Sequence, residues 1–216
     1  IWYQGENNTN RAKEYYHLFP AMINDWRKKW GKDFPFYWVQ LANYMDVVEV
    51  PSESLWAQVR EAQTQTLSLS HTGQAVIIDI GEAKDIHPKN KQEVGRRLAL
   101  HALHNDYGFS DVVCESPMPK TVRRVQDKIV VQFDNVADGL IVKNKYGYLM
   151  SFAVAGNDGV YKWVQAKVAG KDRVVLSCPD VIDPVSVRYA WGDNPDDANL
   201  YNSVGLPATP FEIKIE

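Results

Sequence analysis

Apolar positions in the first hundred residues alternate between short runs and helical spacing. Ile1 to Tyr3 is an apolar run broken by Gln4-Gly5-Glu6, which predicts a strand leading into a loop. Leu18, Phe19, Met22, Ile23, Trp26 and Trp30 then recur at helical spacing and stop at Gly31. This predicts a helix packed through those residues, with a kink or restart at Pro20. Phe34 to Leu41 reads as a continuous apolar and aromatic strand. Pro51-Ser52 opens a second predicted helix, with Leu55, Val59, Ala62 and Leu69 on one face. Gln74 to Ile80 is β-branched and nearly all apolar, as expected of a parallel strand covered on both faces. Asn90 and Glu93 resemble a capping box for a third helix, with Val94, Leu98 and Ala102 as its core stripe and Gly108 at its end. Strand–helix repeated three times predicts a doubly wound α/β sheet. Three strands make a narrow sheet, so part of it is expected outside this chain.

After about Phe109 the period changes. Short β-like runs follow at Ile129–Phe133, Leu140–Val142, Leu149–Val154, Tyr161–Val168, Val174–Cys178 and Val185–Trp191. Asp138-Gly139, Asn157-Asp158-Gly159 and Gly170-Lys171-Asp172 supply the turns between them. This predicts an antiparallel, β-sandwich-like domain. The organisation expected is an α/β domain over residues 1–109, a linker over 110–120 that holds Pro117 and Pro119, and a β-rich domain over 121–216. The segment from Tyr189 to Phe211 reads as a structural wrap over loops.

Composition adds bounds. The 216 residues are 45% hydrophobic, enough for real cores, and the net charge of −3 has no long run of one sign. A nucleic-acid partner is not suggested. No apolar run nears the roughly 20 residues of a membrane helix. The chain starts at Ile1 without an initiator Met, which reads as a piece of a longer protein whose export signal lies elsewhere. Cys114 and Cys178 are too few for a disulfide framework, and their pairing is left open. His101 and His104, three apart, are weak grounds for zinc; neither a metal nor a cofactor is called for.

The candidate chemistry lies on loops after predicted strands, where open α/β sheets place their ligands. Asp85-Ile86-His87-Pro88 offers a histidine that can take a proton and a carboxylate that can orient it. A solvated turn uses the same residues. Gln4 offers a neutral N–H donor suited to an oxyanion hole, Gly5 lets backbone approach a ligand, and Glu6 could orient the loop or bind a substrate hydroxyl. An ordinary turn is the competing reading. Asn43 follows a strand and could reach the same crevice.

Three segments together resemble one family. WYQGENN, then DIHPKNKQEVGRRLA, then VRYAWGDNPDDANLYNSVGLPATPF are similar to the sialate O-acetylesterases, carbohydrate esterases of the SGNH, or GDSL-like, hydrolase superfamily. The resemblance covers both halves of the chain. It implies the second half of a flavodoxin-like (SGNH hydrolase) three-layer parallel sheet and removal of O-acetyl groups from sialic acid or a related sugar. It places Gln4 in the oxyanion hole, His87 as the catalytic base and Asp85 as its carboxylate. It also implies periplasmic or secreted residence. Two departures stand out. The superfamily carboxylate lies three residues before the histidine, where this chain has Lys84, so either Asp85 or Glu82 could orient His87, and Asp85 could instead contact the backbone. The family's nucleophile sits in a Gly-Gln-Ser-Asn block that this chain lacks, so no nucleophile is assigned here. The expected partners are an O-acetylated glycan and the missing amino-terminal half of the same protein. An exposed sheet edge could also pair two copies of the fragment. The competing reading is a non-catalytic carbohydrate-binding or structural module.

Overall fold

Trp38 lies at the centre of a small parallel sheet. The computed structural model describes residues 1–216, which form a mixed α/β chain in two units. The first unit is Ile1–Met45 with Ser54–Glu115, and the second is Asp46–Glu53 with Ser116–Glu216.

In the first unit β1 (Phe36–Val39) pairs in parallel with β2 (Thr72–Ala75). The opening run contributes a parallel bridge, Trp2 to Trp38. Alternate residues of β1 face opposite ways, so two cores form. Phe36, Trp38 and Leu41 pack with α1 (Ala12–Trp30) and α2 (Leu55–Gln65). Tyr37, Val39, Ala75 and Ile77 pack with Val94 and Leu98 of α3 (Lys91–Asn105). The sheet thus lies between helices on both faces.

Several sequence expectations need correction. The third strand does not run from Gln74 to Ile80. It ladders only over Thr72–Ala75, and Val76 to Ile78 continue as buried backbone outside the ladder. Their apolarity reflects burial, which periodicity cannot separate from strand pairing. Helix α1 runs uninterrupted through Pro20, and Gly31 closes it in the left-handed conformation. Its buried stripe is Ala12, Tyr15, Phe19, Ile23 and Arg27, so Trp30 is 79% exposed and Leu18 faces solvent too. Helix α2 is capped by Ser54, whose hydroxyl accepts from Ala57 N at 2.9 Å, not opened at Pro51-Ser52. Leu55 is exposed and Leu69 lies beyond the helix. Helix α3 begins as expected, with the Asn90 side chain accepting from Glu93 N, but ends at Asn105, before Gly108.

Each helix places one arginine within its buried stripe. Arg27 donates to the carbonyls of Phe34, Ser70 and His71 before the two strands. Arg60 donates to those of Leu41 and Ala42 after β1. Arg97 donates to Val76 O after β2 and grips Asp79 through two bonds of 2.6 and 2.9 Å. Four-residue strands leave many backbone carbonyls outside the ladder, and buried carbonyls need donors. The guanidinium forks supply them. His101 acts similarly, with Nε2 3.0 Å from Gln74 O, and His104 Nδ1 lies 2.8 Å from Val112 O.

The second unit is antiparallel throughout. β3 (Met118–Val125), β4 (Lys128–Asp134), β9 (Arg173–Ser177) and β8 (Gln165–Ala169) form one sheet in that order. β12 (Phe211–Lys214), β10 (Ser186–Tyr189), β6 (Phe152–Ala155) and β7 (Tyr161–Trp163) form another. β5 (Leu140–Val142) pairs with β11 (Leu200–Asn202). β4 alternates cleanly, with Ile129, Val131 and Phe133 buried. Phe133 of the first sheet meets Phe211 of the second, ring centres 6.0 Å apart. Sequence pattern missed β3, β11 and β12; β3 begins at Met118, within the stretch read as linker. The segment Asp46–Glu53, which leaves the first unit between β1 and α2, belongs to this unit. Glu53 pairs with Arg188 at 2.6 Å, and the Glu49 carbonyl accepts from Trp163 Nε1 at 2.9 Å. Cys114 and Cys178 are both free and buried.

Candidate active site at the carboxyl edge of the parallel strands

Parallel pairing puts the residues that follow Trp2, Val39 and Ala75 on one edge of the first unit. Gln4 to Glu6, Gln40 to Met45 and the loop from Val76 to Pro88 all lie there.

Gln4 is tied down on every side. Its Nε2 donates to Asn8 Oδ1 at 2.8 Å, and its Oε1 accepts from the Tyr15 hydroxyl at 3.1 Å. Its carbonyl accepts from Gln63 Nε2 at 3.2 Å. Burial pushes the Tyr15 phenol up to about 12, so it stays protonated as a donor. With Oε1 held by Tyr15, the amide presents its NH2 end, and one N–H remains beyond the Asn8 bond. Gly5 has φ of +149° and is buried; a Cβ there would lie 3.2 Å from both Gln63 Nε2 and Val59 Cγ1. Glu6 opens a short 3-10 turn, where its carbonyl accepts from the Thr9 hydroxyl. Burial first, then the Glu6 charge, push the neighbouring Tyr3 phenol far above its ordinary value.

Beneath this loop lies a polar lattice that the sequence reading missed. Gln63 bridges Gln4 O and Leu41 N, its Oε1 accepting from the latter at 3.0 Å. The Ala42 carbonyl accepts from Arg60 at 2.7 Å and Trp56 Nε1 at 2.8 Å. The signal was present: Arg60 and Gln63 fall at i+4 and i+7 from Trp56, inside the stripe that carries Val59 and Ala62.

Asn43 is buried and works on the next loop. Its Oδ1 accepts from Gly81 N at 2.7 Å, and Met45 N donates to Ala83 O at 3.0 Å. A Cβ on Gly81 would come within 2.1 Å of Asn43 O, so only glycine fits this approach. Beyond it the chain makes a tight turn in which Asp85 N donates to Glu82 O at 3.3 Å. Glu82 is engaged by Lys89 at 2.7 Å. Ile86 packs against the apolar cluster that includes Trp38, Leu41 and Trp56, as do Tyr3 and Tyr44. That anchor turns His87 outward, leaving its side chain 82% exposed.

Asp85 Oδ1 accepts from His87 N at 2.9 Å and lies 3.3 Å from His87 Nδ1. The backbone N–H of His87 is the main cause that lowers the Asp85 pKa, followed by the imidazole itself, so the carboxylate stays ionised. An ionised acceptor at Nδ1 favours the tautomer whose Nε2 lone pair is free. Nε2 has no protein partner. Lys91, four residues on, places its ammonium 5.4 Å from the Tyr3 ring centre, next to Gln4. Gln4, Gly5, Asn43, Asp85 and His87 therefore share one sheet edge. No hydrogen bond joins Gln4 to His87 directly.

The family described as carbohydrate esterase, sialic acid-specific acetylesterase, matches residues 1–104, which include all of these groups. Over those residues the chain is similar to this acetylesterase family. Among solved structures, a carbohydrate acetylesterase from Xanthomonas citri is similar over 99% of this chain and 49% of its own, with 44% identity and a TM-score of 0.92. The sialate O-acetylesterases of Homo sapiens and Mus musculus are each 29% identical, over 98% and 100% of this chain respectively. The chain spans about half the length of the curated relatives it matches, 45% and 44% of these two.

Proposed function

We propose that the chain carries the base and oxyanion side of a serine-dependent carbohydrate O-acetylesterase. It acts on O-acetylated sialic acid or a related acetylated sugar. Its first unit is read as the second half of an SGNH-type sheet, and its second as a β-sandwich-like domain. The observation that carries this is the Asp85–His87 pair, 3.3 Å apart, with an unengaged Nε2 on the sheet edge that also holds Gln4.

The chemistry follows from those groups. A serine hydroxyl attacks the acetyl carbonyl while His87 Nε2 takes its proton. The carbonyl oxygen becomes an oxyanion, met by the remaining Gln4 N–H. Asp85 holds the imidazole and stabilises its charged form. The tetrahedral adduct expels the sugar oxygen, which takes the proton from His87. Water, deprotonated by His87, then releases acetate. No serine of this chain hydrogen-bonds to His87. Ser54 caps α2, and Ser70 Oγ is 3.4 Å from Asp33 Oδ2. The nucleophile is therefore assigned to polypeptide outside residues 1–216, and the isolated chain to inactivity.

The test is acetate release from an O-acetylated sialic acid, and from p-nitrophenyl acetate, by the isolated chain and by the longer polypeptide. The longer protein should lose about a thousandfold or more in kcat on His87→Ala and about a hundredfold to a thousandfold on Gln4→Ala. Hydrolysis by the isolated chain that disappears with His87→Ala would overturn the assignment of the nucleophile.

A further inference from the structure

The second unit has a trough that the esterase chemistry does not use. A cavity of about 720 Å³ is lined by Tyr148, Met150, Trp163 and Gln165 together with Lys128 and Lys167. A second, of about 290 Å³, shares Met150 and Trp163 and adds Ser151, Trp191 and Asp197. Trp163 stands between the two. Its indole N–H is spent on the Glu49 carbonyl, so the ring is held in place, yet it remains 44% exposed. Tyr148 is 69% and Met150 45% exposed beside it, and the Tyr146 ring stacks on Tyr148 with centres 6.0 Å apart. A fixed, contiguous apolar ledge of this kind on a protein surface marks a binding site.

The polar lining narrows the occupant. No carboxylate lines the larger cavity, whereas two lysines do. Lys128 is already shared between Asp127 at 3.1 Å and the Ser177 hydroxyl at 3.0 Å. Lys167 has no ion-pair partner and is exposed. The smaller cavity is the reverse: it holds Asp197, bonded to the Ser151 hydroxyl, and Glu49, and no cation. Buried Trp191 lines it, and its indole N–H has no protein partner. Aromatic faces flanked by a few polar groups suit a pyranose, whose C–H face lies on the ring while its hydroxyls reach the rim.

We infer that this trough is an accessory glycan site. An acidic sugar sits over Trp163 with its carboxylate toward Lys167, and a neutral neighbour occupies the smaller cavity beside Trp191. The inference rests on the carbohydrate-esterase reading only for the class of ligand. The site would hold an acidic glycan on the second unit without taking part in bond cleavage.

The experiment is titration of the chain with 3′-sialyllactose, lactose and a trigalacturonate, followed by amide and indole NMR shifts. At least one acidic oligosaccharide should bind more tightly than lactose and shift the Trp163 and Trp191 indole signals. Lys167→Gln should weaken acidic binding about tenfold and leave lactose unchanged. Trp163→Ala should abolish binding, and Trp163→Phe, which keeps a ring, should retain part of it even if the alanine variant is misfolded. His87→Ala should leave the Trp163 and Trp191 indole shifts as they are, so a failed esterase reading, seen in turnover by the longer protein, is distinguishable from a failed site. Absence of binding by both acidic probes, shifts confined to other residues, or an acid preference that survives Lys167→Gln would each overturn the inference.

Discussion

The two strand-end loops that carry the candidate chemistry are held by different means. The Gln4 loop is fixed from beneath by side chains: Tyr15, Gln63 and the Arg60 lattice under it. The His87 loop is held at its own backbone, where Gly81 N donates to the Asn43 side chain and Ala83 O accepts from Met45 N, and by one apolar plug, Ile86. An oxyanion donor gains from being rigid before charge develops. A base must reach a proton on one partner and return it to another. In the proposed chemistry Gln4 takes the first role and His87 the second. The contrast in support also means that a substitution in the lattice should damage folding, whereas one at the exposed His87 should not.

The sharpest way to break this contrast is Arg60→Ala. The guanidinium is fully buried and serves two carbonyls, so its loss leaves a cavity and takes the Arg60 donor from Leu41 O, while Ala42 O keeps Trp56 Nε1. The expected cost is about 3–5 kcal/mol, read as a fall in the urea midpoint. His87→Ala should stay within about 0.5 kcal/mol. Similar losses from the two would end the distinction. Next comes Gly81→Ala, where the new methyl meets Asn43 O; about 3 kcal/mol is expected, with NMR shifts centred on residues 82–88 and little change at Gln4. Asn43→Ala removes the acceptor of the Gly81 amide and should cost about 1–3 kcal/mol. Faster hydrogen exchange at that one amide is the local signature, and Asn43→Asp, which keeps an acceptor oxygen, should restore most of the protection.

What was legible in the sequence follows the same division. Asn90 before Glu93, Gly31 after Trp30 and the turn at Asn157-Asp158-Gly159 encode local geometry in local residue types, and each marks a real boundary or turn. Where an interior position is filled by a polar residue, pattern reading failed. Arg27, Arg60, Gln63 and Arg97 all occupy helix stripes, and a hydrophobicity count treats them as interruptions. Trp30 was misplaced for the converse reason: its size suggested core, but the stripe through Tyr15, Phe19 and Ile23 reaches Arg27 instead. Strands such as Met118–Val125, with two prolines and three basic residues within or beside them, carry little β signal of their own and exist through pairing with β4. The Asp85–His87 motif could be found in sequence because both partners lie within three residues. The Ile86 plug that turns His87 outward depends on an apolar cluster whose members all lie 24 or more residues away in the chain, Ala62 the nearest.

The smallest effect expected separates the two loops by pH. Arg96 and Arg97 hold the Glu93 carboxyl at about 2, well below its ordinary 4.5. A depressed folded-state pKa adds stability that is present above the unfolded value and is lost as pH falls from about 4.5 through about 2. Glu93 sits at the start of α3, just beyond the His87 loop, and Arg97 continues to Asp79 and Val76 O at the end of β2. Protonation there removes a partner from Arg97 Nε and weakens the base of that loop. The bonds that orient Gln4 join neutral groups and have nothing to titrate in this range. Amide shifts of residues 79–94 should therefore move between pH 5 and 2, while the Gln4 side-chain amide stays still. Glu93→Gln should remove the share of the first response carried by the start of α3 and leave that of Asp85 and His87 N in place. If the Gln4 amide titrates with the same midpoint in the wild-type chain, the two loops are mechanically one, and the assignment of a rigid donor beside an independently held base fails.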